Sequence, residues 1–348
     1  MTWRELTADQ LNNLKDPLLV DVRAPCEHRD ERIIGSVNVP LLSDAERAEV
    51  GKIYAWQGEV AARRHALKII APKIPEIVET ISGLRKQGQP LVIHCWRGGL
   101  RSEAVASFLS VVGIDCFRLT GGYKAWRRQL LADFQKGAYR FQPIIIHGLT
   151  GVGKTDILRG LKEAGKSVLD LEALANHRGS VFGGLGLGAQ PTQKNFDAAL
   201  WQALREFGEE PVFLEAESRK VGRISLPDFV VDKIERGQGV LVTGTLEVRA
   251  RRIVDDYALA LDERGRAEAF QALLCLKERL GARRIQELQD MYAGGQIIEL
   301  VKILLVEHYD PLYMRQIERA RPFALEVNGD DVKSAIKTLE EWACAVRS

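Results

Sequence analysis

Paired cysteines, long apolar runs and a strong net charge are all missing from this sequence. Its five cysteines are scattered, odd in number and never arranged as Cys-x-x-Cys, which argues against a disulfide framework and a structural zinc site. No apolar stretch is long enough to cross a bilayer, and no signal-peptide pattern is found. The sequence therefore predicts a protein of the reducing cytoplasm that has no membrane partner.

Composition sets the size of the protein but says little about its partners. Lysine and arginine number 49 against 47 aspartates and glutamates, and a formal net charge of +2 lacks the strongly basic signature of many nucleic-acid-binding proteins. Apolar residues make up 46 %, as in packed globular proteins. A chain of 348 residues is long for one hydrophobic core, so two domains are expected.

The first segment that indicates a chemistry is residues 91–102, Leu-Val-Ile-His-Cys-Trp-Arg-Gly-Gly-Leu-Arg-Ser. Its apolar start predicts a buried strand and the pattern after it predicts a helix, so Cys95 lies in the connecting loop. Loop N–H groups, a helix N-terminus and nearby arginines favour a nucleophilic thiolate and can hold an oxyanion. The residues predicted to form this anion-binding loop are Arg97, Gly98, Gly99, Arg101 and Ser102. A buried structural cysteine is the alternative.

A second loop follows the apolar strand predicted at 143–147. Residues 148–155 read Gly-Leu-Thr-Gly-Val-Gly-Lys-Thr, the P-loop pattern in its required context between a strand and a helix. Its backbone N–H groups can surround a phosphate, Lys154 can reach the outer phosphate, and Thr155 can ligate Mg²⁺. The residues predicted to bind a diphosphate are Gly148, Gly151, Gly153, Lys154 and Thr155.

Further candidates for substrate contacts lie downstream of the P-loop. A glycine-rich stretch at 177–188 predicts a mobile loop that closes over a ligand, with a solvent loop of no function as the alternative. The residues predicted to act as a lid or to contact substrate are His177, Arg178, Glu215 and Glu217. No Asn-Lys-x-Asp motif for guanine is found. Diphosphate alone is a sufficient ligand for the P-loop, and binding of ATP or GTP stays open.

Strands alternate with helices in both halves of the chain, which predicts an α/β fold with parallel sheets. We predict a parallel-sheet domain at 1–138 that carries the Cys95 loop. A P-loop NTPase-like domain is predicted at 139–348, with a helical insertion at 246–318.

The first half resembles the rhodanese-type sulfurtransferase domain over about residues 5–130. The resemblance rests on Asp-Val-Arg at 21–23 followed by Gly-Ser-Val-Asn-Val-Pro at 35–40, on the Cys95 loop, and on Gly-Gly-Tyr-Lys-Ala-Trp at 121–126. Glu-Arg at 31–32 replaces the usual Gly-His. The Cys-x5-Arg spacing is one residue longer than the common rhodanese loop and is that of cysteine-dependent phosphatases. Chalcogen transfer and phosphate-ester hydrolysis therefore both stay open for this domain.

Over nearly its full length the sequence resembles the tRNA 2-selenouridine synthase family. The agreement includes the Cys95 loop, the P-loop, Asn-His-Arg-Gly-Ser at 176–180 and Glu-Ala-Glu-Ser at 215–218. The resemblance implies a rhodanese-like domain fused to a P-loop domain, with selenotransferase and geranyltransferase activities on the wobble uridine of tRNA. It would convert 2-thiouridine to 2-selenouridine through S-geranyl-2-thiouridine.

The same resemblance implies the co-substrates. Geranyl diphosphate and selenophosphate would be consumed, Mg²⁺ could assist, and no cofactor would be tightly bound. Cys95 would be the catalytic nucleophile and would attack the selenium of selenophosphate as phosphate departs. Two other functions stay open. One is a cysteine-dependent phosphatase fused to a P-loop kinase, which needs no RNA, and the other is a nucleotide-gated binding module with a vestigial rhodanese domain.

Overall fold

A computed structural model of the chain describes residues 3–137, 139–179, 183–184, 186–258, 271, 273–274 and 276–346. The chain divides into two compact units. The first comprises Met1–Gly137 with Thr192–Gln202, and the second comprises Ala138–Pro191 with Ala203–Ser348. Each unit is built on a five-stranded parallel sheet, so the predicted α/β class is confirmed.

The first unit has its sheet between two layers of helices. Its strands are β1 (Trp3–Leu6), β2 (Leu18–Asp21), β3 (Val37–Asn38), β4 (Leu91–His94) and β5 (Cys116–Leu119). Its helices are α1 (Ala8–Leu11), α2 (Pro25–Asp30), α3 (Asp44–Ile70), α4 (Ile74–Leu84), α5 (Leu100–Val111) and α6 (Gly122–Lys136). The strand order is β1-β5-β4-β2-β3, and every pair is parallel. Strands β2 and β4 are buried along their whole length because both faces of the sheet are covered.

Helix α3 is bent at Gly58. This residue has φ +84° and ψ 180°, outside the helical region, and a positive φ is one that glycine adopts without steric cost. Its two halves are therefore separate helical segments that diverge at the glycine.

The second unit contains a five-stranded sheet and a short hairpin. Its strands are β6 (Gln142–Gly148), β7 (Ser167–Leu169), β8 (Pro211–Glu215), β9 (Lys220–Val221), β10 (Ile224–Ser225), β11 (Gln238–Thr243) and β12 (Leu325–Asn328). The sheet order is β12-β11-β6-β8-β7, all parallel, while β9 and β10 pair antiparallel. The P-loop follows the central strand β6, whose apolar residues Ile144, Ile145 and Ile146 are buried.

The helices of the second half include the predicted insertion. They are α7 (Lys154–Glu163), α8 (Leu171–Ala175), α9 (Gln193–Arg205), α10 (Asp228–Arg236), α11 (Leu246–Ala258), α12 (Lys277–Leu280), α13 (Ala282–Ala293), α14 (Ile297–Leu304), α15 (Asp310–Ala320) and α16 (Val332–Val346). Helices α11 to α15 lie between β11 and β12 in the chain, as predicted for the insertion, of which residues 259–270, 272 and 275 lie outside the described residues. None of the described helices is long and apolar enough to cross a membrane.

Most of helix α9 belongs to a different unit from the one predicted. The segment Thr192–Gln202 lies in the first unit, whereas the predicted division at 138/139 places it in the second. Trp201 stands edge-on to Trp126, with ring centres 5.5 Å apart, and its Nε1–H donates to Asp133 at 3.0 Å. Arg127 forms an ion pair with Asp197 at 2.5 Å. Burial of an aromatic ring with its polar atom satisfied is a strong packing contribution, so this segment is part of the core of the first unit.

Candidate active sites

The Cys95 loop begins at the carboxyl end of β4 and ends at the first turn of α5. Gly98 has φ +65°, and a Cβ there would lie 2.5 Å from the carbonyl oxygen of Leu119. A Cβ on Gly122 would lie 2.2 Å from the carbonyl oxygen of Cys95. The N–H of Tyr123 donates to that same oxygen at 2.9 Å. The two glycines therefore let the β5–α6 turn pack directly against the loop and fix its path.

The sulfur of Cys95 lies at the bottom of this loop, and the residue is only 3 % exposed. Its Sγ is 3.3 Å from the Ser102 hydroxyl, which in turn is 3.0 Å from the carbonyl oxygen of Gly99. A hydroxyl carries one proton, so Ser102 can donate either to the Gly99 oxygen or to a Cys95 thiolate. Ser102, predicted as a loop residue from the sequence, is thus a direct neighbour of the sulfur.

The backbone of the same loop carries several free donors. The N–H groups of residues 96–102 have no protein acceptor among the residues that the structure describes. The last of them belong to the first turn of α5, where N–H groups are unpaired within a helix and the helix dipole is positive. Successive unpaired N–H groups of this kind form an anion-binding concavity. These free donors are compatible with the oxyanion loop that the sequence predicts, which stays a prediction.

The two arginines predicted for the loop differ in their surroundings. Arg101 is held by Glu27 at 2.7 Å, and Arg47 contacts the same carboxylate at 3.1 Å. Burial is the largest single influence and raises the pKa of Glu27, but the hydrogen bond and charge of Arg101, together with the Ala24 N–H and the Arg47 charge, lower the pKa below its usual value. Arg97 is exposed and has no ion-pair partner within the described part of the chain. Glu27, which orients Arg101, is not among the site residues predicted from the sequence.

A buried ion pair packs against the aromatic rings next to the loop. Arg23 and Asp21 are both fully buried and pair at 2.7 Å. The guanidinium of Arg23 lies 4.6 Å from the ring centre of Tyr123 and 5.8 Å from that of Trp96, the residue after the cysteine. His94 adds no charge here, because burial lowers its pKa to about 4 and leaves it neutral at physiological pH. The positive field at Cys95 therefore comes from arginines and backbone N–H groups.

In the second unit, the P-loop surrounds the ammonium group of Lys154. Its Nζ donates to the carbonyl oxygens of Gly148 and Leu149 at 3.1 and 3.4 Å and lies 3.8 Å from Glu215. Gly151 and Gly153 have φ +81° and +96°, which a residue with a side chain rarely adopts. Thr155 is exposed at the first turn of α7, where the sequence predicted a ligand to Mg²⁺.

Two arginines of helix α11 buttress the P-loop backbone. Arg249 donates to the carbonyl oxygen of Thr150 at 2.9 Å and is paired with Asp310 at 2.5 Å. Arg252 donates to the carbonyl oxygen of Gly151 at 2.8 Å. Their guanidinium groups are therefore engaged with loop carbonyls, so these side chains stabilise the loop conformation.

Three carboxylates form a cluster beside Lys154. Oxygens of Glu172, Glu215 and Glu217 all lie within 4.8 Å of one another, the one group of metal-ligand type among the described residues. Burial and then the neighbouring charges raise the pKa of Glu172 to about 10 and that of Glu217 to about 8. The pKa of Glu215 is also raised, chiefly by burial, although the Lys154 charge opposes the shift. Such a cluster can exchange protons or hold a divalent cation.

The sequence predicted Glu215 and Glu217 as substrate contacts, and the structure brings both to the P-loop lysine. Glu172 was missed, because an acidic residue in the first turn of a helix is ordinarily a solvated one. Only the fold places it opposite the end of β8.

The predicted lid residues His177 and Arg178 lie in the segment that follows α8. A Cβ on Gly179 would be 2.6 Å from a carboxylate oxygen of Glu172, so the backbone of this segment packs against the cluster. Nδ1 of His177 accepts from the N–H of Gly179 at 3.1 Å, and burial lowers the pKa of this histidine. Residues 180–182 and 185 of the predicted loop lie outside the described residues.

We predict that the cluster makes the chain less stable as pH rises. A carboxyl whose pKa is raised in the folded state stabilises the fold fully below its usual pKa near 4.5, and loses that contribution as pH rises through about 8 to 10. Each carboxyl that is protonated in the folded state and ionised in the unfolded state lowers the free energy of unfolding by up to about 1.4 kcal/mol per pH unit. Glu217→Gln should therefore lose less stability between pH 6 and pH 9 than the unaltered chain, measured by urea unfolding at both pH values.

The matched control for this experiment is Glu163→Gln. Glu163 is exposed on α7 of the same unit, so this variant should lose stability with pH exactly as much as the unaltered chain does. Equal pH dependence in Glu217→Gln and the control would show that the pKa of Glu217 is not raised in the folded chain.

Comparison with known proteins gives matches to both halves of the chain. A family model described as the tRNA 2-selenouridine synthase AAA domain matches residues 141–343, and a rhodanese-like domain model matches residues 6–129. A tRNA 2-selenouridine synthase of Bdellovibrio bacteriovorus is 33 % identical over 92 % of this chain and 94 % of that one. One from Hahella chejuensis is 34 % identical over 90 % and 89 %.

Solved structures resemble the chain over a much shorter length. A rhodanese-like domain protein from Staphylococcus aureus is 23 % identical, with a TM-score of 0.24 over 35 % of this chain and 90 % of that one. A TM-score this low does not establish a common fold. The two family models and the relatives together span nearly all of the chain.

Proposed function

The chain belongs to the tRNA 2-selenouridine synthase family, and from this premise we propose that its two units carry out two successive steps on one tRNA nucleoside. The P-loop unit transfers a geranyl group from geranyl diphosphate to the sulfur of 2-thiouridine at the wobble position. The rhodanese-like unit then replaces the S-geranyl group with selenium taken from selenophosphate.

Geranyl transfer needs stabilisation of the diphosphate that leaves. The bond between carbon and oxygen of the donor breaks, and negative charge develops on diphosphate in the transition state. Lys154 and the N–H groups of the P-loop are fixed donors at that place, which is the arrangement that stabilises a developing anion. Mg²⁺ would add further positive charge, and the Thr155 hydroxyl together with the carboxylates beside Lys154 offers the oxygen ligands that this ion prefers.

The same step also needs a base. S-alkylation of 2-thiouridine removes the proton on the neighbouring ring nitrogen, because the thiocarbonyl becomes a thioether and the ring gains a C=N bond. Glu215 of this cluster can take that proton, because the Lys154 charge opposes the rise in its pKa, whereas Glu172 and Glu217, with pKa values of about 10 and about 8, are mostly protonated at neutral pH. In this scheme Lys154 binds the leaving diphosphate and also forms an ion pair with Glu215 of the carboxylate cluster.

At the cysteine loop we propose that the Cys95 thiolate attacks phosphorus, and not selenium as expected from the resemblance to the synthase family. Phosphorus in selenophosphate is already fully oxidised, so attack on selenium would expel it with an extra electron pair as phosphite. Attack on phosphorus forms an S–P bond and breaks the P–Se bond, whose electron pair leaves with selenium as selenide. Water then hydrolyses the thiophosphate to phosphate and restores the thiolate. The Cys-x5-Arg loop suits such a tetrahedral group.

Selenide completes the exchange on the nucleoside. It adds to the carbon that carries the S-geranyl group, geranyl thiol leaves, and the ring nitrogen regains a proton. An alkylated sulfur leaves more readily than a thiocarbonyl, which explains why geranylation comes first. One observation carries this half of the proposal, the run of unpaired N–H groups at 96–102 around the sulfur of Cys95.

The test is mass spectrometry of nucleosides from tRNA containing 2-thiouridine. With the protein alone no change is expected, with geranyl diphosphate the S-geranyl nucleoside should form, and with selenophosphate added as well 2-selenouridine should form. Selenophosphate without geranyl diphosphate should give no 2-selenouridine. Formation of 2-selenouridine in that last mixture would contradict the two-step order.

A phosphatase is the second candidate, favoured by the Cys-x5-Arg spacing alone. It predicts release of phosphate from an aryl phosphate without RNA. A rate of aryl phosphate hydrolysis above that of selenophosphate turnover would support it over selenium transfer.

A further inference from the structure

The first unit contains an apolar cavity of about 1080 Å³ beside the Cys95 loop. Leu42, Ala62, Ala66, Ala104 and Phe108 are among the residues that line it. Pockets for small organic ligands in proteins measure roughly 300–1,000 Å³, so this cavity is large enough for an organic group of considerable size. Selenophosphate is a small anion, and aliphatic and aromatic walls do not contribute to its binding.

Both halves of the bent helix α3 contribute to the wall of the cavity. Lining residues come from positions 47–54 before the bend at Gly58 and from positions 59–70 after it. The opposite wall is helix α5, through Leu100, Ala104 and Phe108. Tyr54, Leu67 and Leu100 are each more than half exposed, so the cavity has an apolar mouth that is open to solvent.

The cavity starts at the reactive loop itself. Two residues of this loop line it. Trp96 directly follows the cysteine, and Arg101 is the last residue of the Cys-x5-Arg motif. The Arg101–Glu27 ion pair lies at this end, and both partners line the cavity. A ligand seated here has its apolar part between α3 and α5 and its polar end beside the selenium-transfer loop.

We propose that this cavity binds the isoprenoid chain of S-geranyl-2-thiouridine during selenium exchange. The inference rests on the proposed function, in which the geranyl thioether must come close to the Cys95 loop. A ten-carbon chain left in water gains nothing from the protein, whereas each CH₂ buried in an apolar site strengthens binding about fourfold. The arginines Arg47 and Arg63 of the lining are paired with the lining carboxylates of Glu27 and Glu59, so the apolar walls are what the cavity offers to a ligand.

The chain is held, in this arrangement, by the unit that cleaves it off and not only by the unit that attached it. The cavity then selects for nucleosides that have completed the first step. Unmodified 2-thiouridine has no group to fill it and binds the first unit weakly, so selenium is not spent on it.

The experiment starts from tRNA that already carries S-geranyl-2-thiouridine, so the P-loop step is bypassed, and compares it with tRNA that carries S-methyl-2-thiouridine. Ala104→Trp fills the cavity from α5 and should slow conversion of the S-geranyl substrate at least tenfold, while the S-methyl substrate reacts at its unaltered rate. Val111→Trp is the matched control, the same substitution size on the same helix at a position that is 85 % exposed and outside the cavity lining. It should change neither rate.

A second variant acts in the opposite direction. Phe108→Ala enlarges the cavity and should raise the rate on S-farnesyl-2-thiouridine relative to S-geranyl-2-thiouridine. Equal loss on the geranyl and methyl substrates in Ala104→Trp would mean damage to the Cys95 loop and would overturn the proposal. So would unchanged rates in both Ala104→Trp and Phe108→Ala. A changed oligomeric state with unchanged geranyl turnover would assign the cavity to a second copy of the chain.

Direct binding separates this proposal from the proposed function. If the unaltered protein converts neither substrate, the selenium-transfer function fails, and binding of the free nucleoside S-geranyl-2-thiouridine to the protein decides on the cavity by calorimetry. Binding that Ala104→Trp weakens at least tenfold and Val111→Trp leaves unchanged supports the cavity as the isoprenoid site. Equal binding in all three proteins, or none, overturns it.

Discussion

Cys95→Ser is expected to stop the reaction at S-geranyl-2-thiouridine. A serine hydroxyl at this position stays protonated and is a far weaker nucleophile than a thiolate, so 2-selenouridine should fall by roughly 10³-fold or more. Geranylation should continue at its unaltered rate, because the P-loop that performs it lies in the other unit. The measurement is nucleoside mass spectrometry with both co-substrates present.

Cys344→Ser is the matched control for this substitution. It makes the same chemical change at an exposed cysteine outside either site, and it should yield 2-selenouridine at the unaltered rate. Normal selenation by Cys95→Ser would remove the cysteine from the chemistry and would favour a binding module with a vestigial rhodanese domain.

The phosphorus product tests the atom that Cys95 attacks. If the thiolate attacks phosphorus, ³¹P NMR should show phosphate as the product of selenophosphate, and rapid acid quenching should trap a phosphoryl group on the Cys95 peptide. Attack on selenium would instead yield phosphite and a cysteine that carries selenium. Cys95→Ser should abolish the trapped phosphoryl group on this peptide.

Local sequence signals were sufficient to place the Cys95 loop and the P-loop in the fold. Cys95 and Lys154 each follow an apolar run and precede a helical pattern, and because loops at the carboxyl ends of parallel strands carry most sites of α/β proteins, their placement follows from chain order. Gly98 and Gly153 were correctly taken as loop glycines. Their neighbours in space, Leu119 and Arg252, lie in distant parts of the sequence.

Features that depend on packing between distant segments were not predictable. The pattern of helix α9 shows an apolar face but does not show which core that face joins, and Trp201 packs on Trp126 of the first unit. Likewise Glu27 meets Arg101 from 74 residues away, and Glu172 reaches the P-loop carboxylates only through the fold. Motifs identify the reacting groups, whereas the groups that orient them come from tertiary structure.

The cavity beside Cys95 is a feature of the same kind. Its small residues Ala62, Ala66 and Ala104 carry no signal in the sequence, because alanine has the highest helix propensity and fits any position of a helix. What makes them informative is that they face one another across the space between α3 and α5. A solvent-open cavity of this size beside the Cys95 loop falls in the range of pockets that bind organic ligands, which is why the isoprenoid chain is proposed to lie there.

Lys154→Ala is expected to abolish geranylation while sparing selenation. The substitution removes a positive charge from the diphosphate site and should lower the rate of S-geranyl-2-thiouridine formation by roughly 10²- to 10³-fold, the range found when one donor to a developing anion is deleted. It also removes the charge that opposes protonation of Glu215, which weakens the base. Both effects act in the same direction, and tRNA that is already S-geranylated should still be converted to 2-selenouridine.

Lys162→Ala separates this effect from a general loss of charge or helix stability. Lys162 is an exposed residue of the same helix, two turns after Lys154, and its substitution should leave both steps at their unaltered rates. If Lys154→Ala instead lost selenation of pre-geranylated tRNA to the same extent as geranylation, the P-loop would act in both steps and the division of labour between the units would be wrong. Retention of geranylation by Lys154→Ala would remove diphosphate from the P-loop. Because the two steps are assayed on different starting tRNAs, these outcomes cannot be confused with each other.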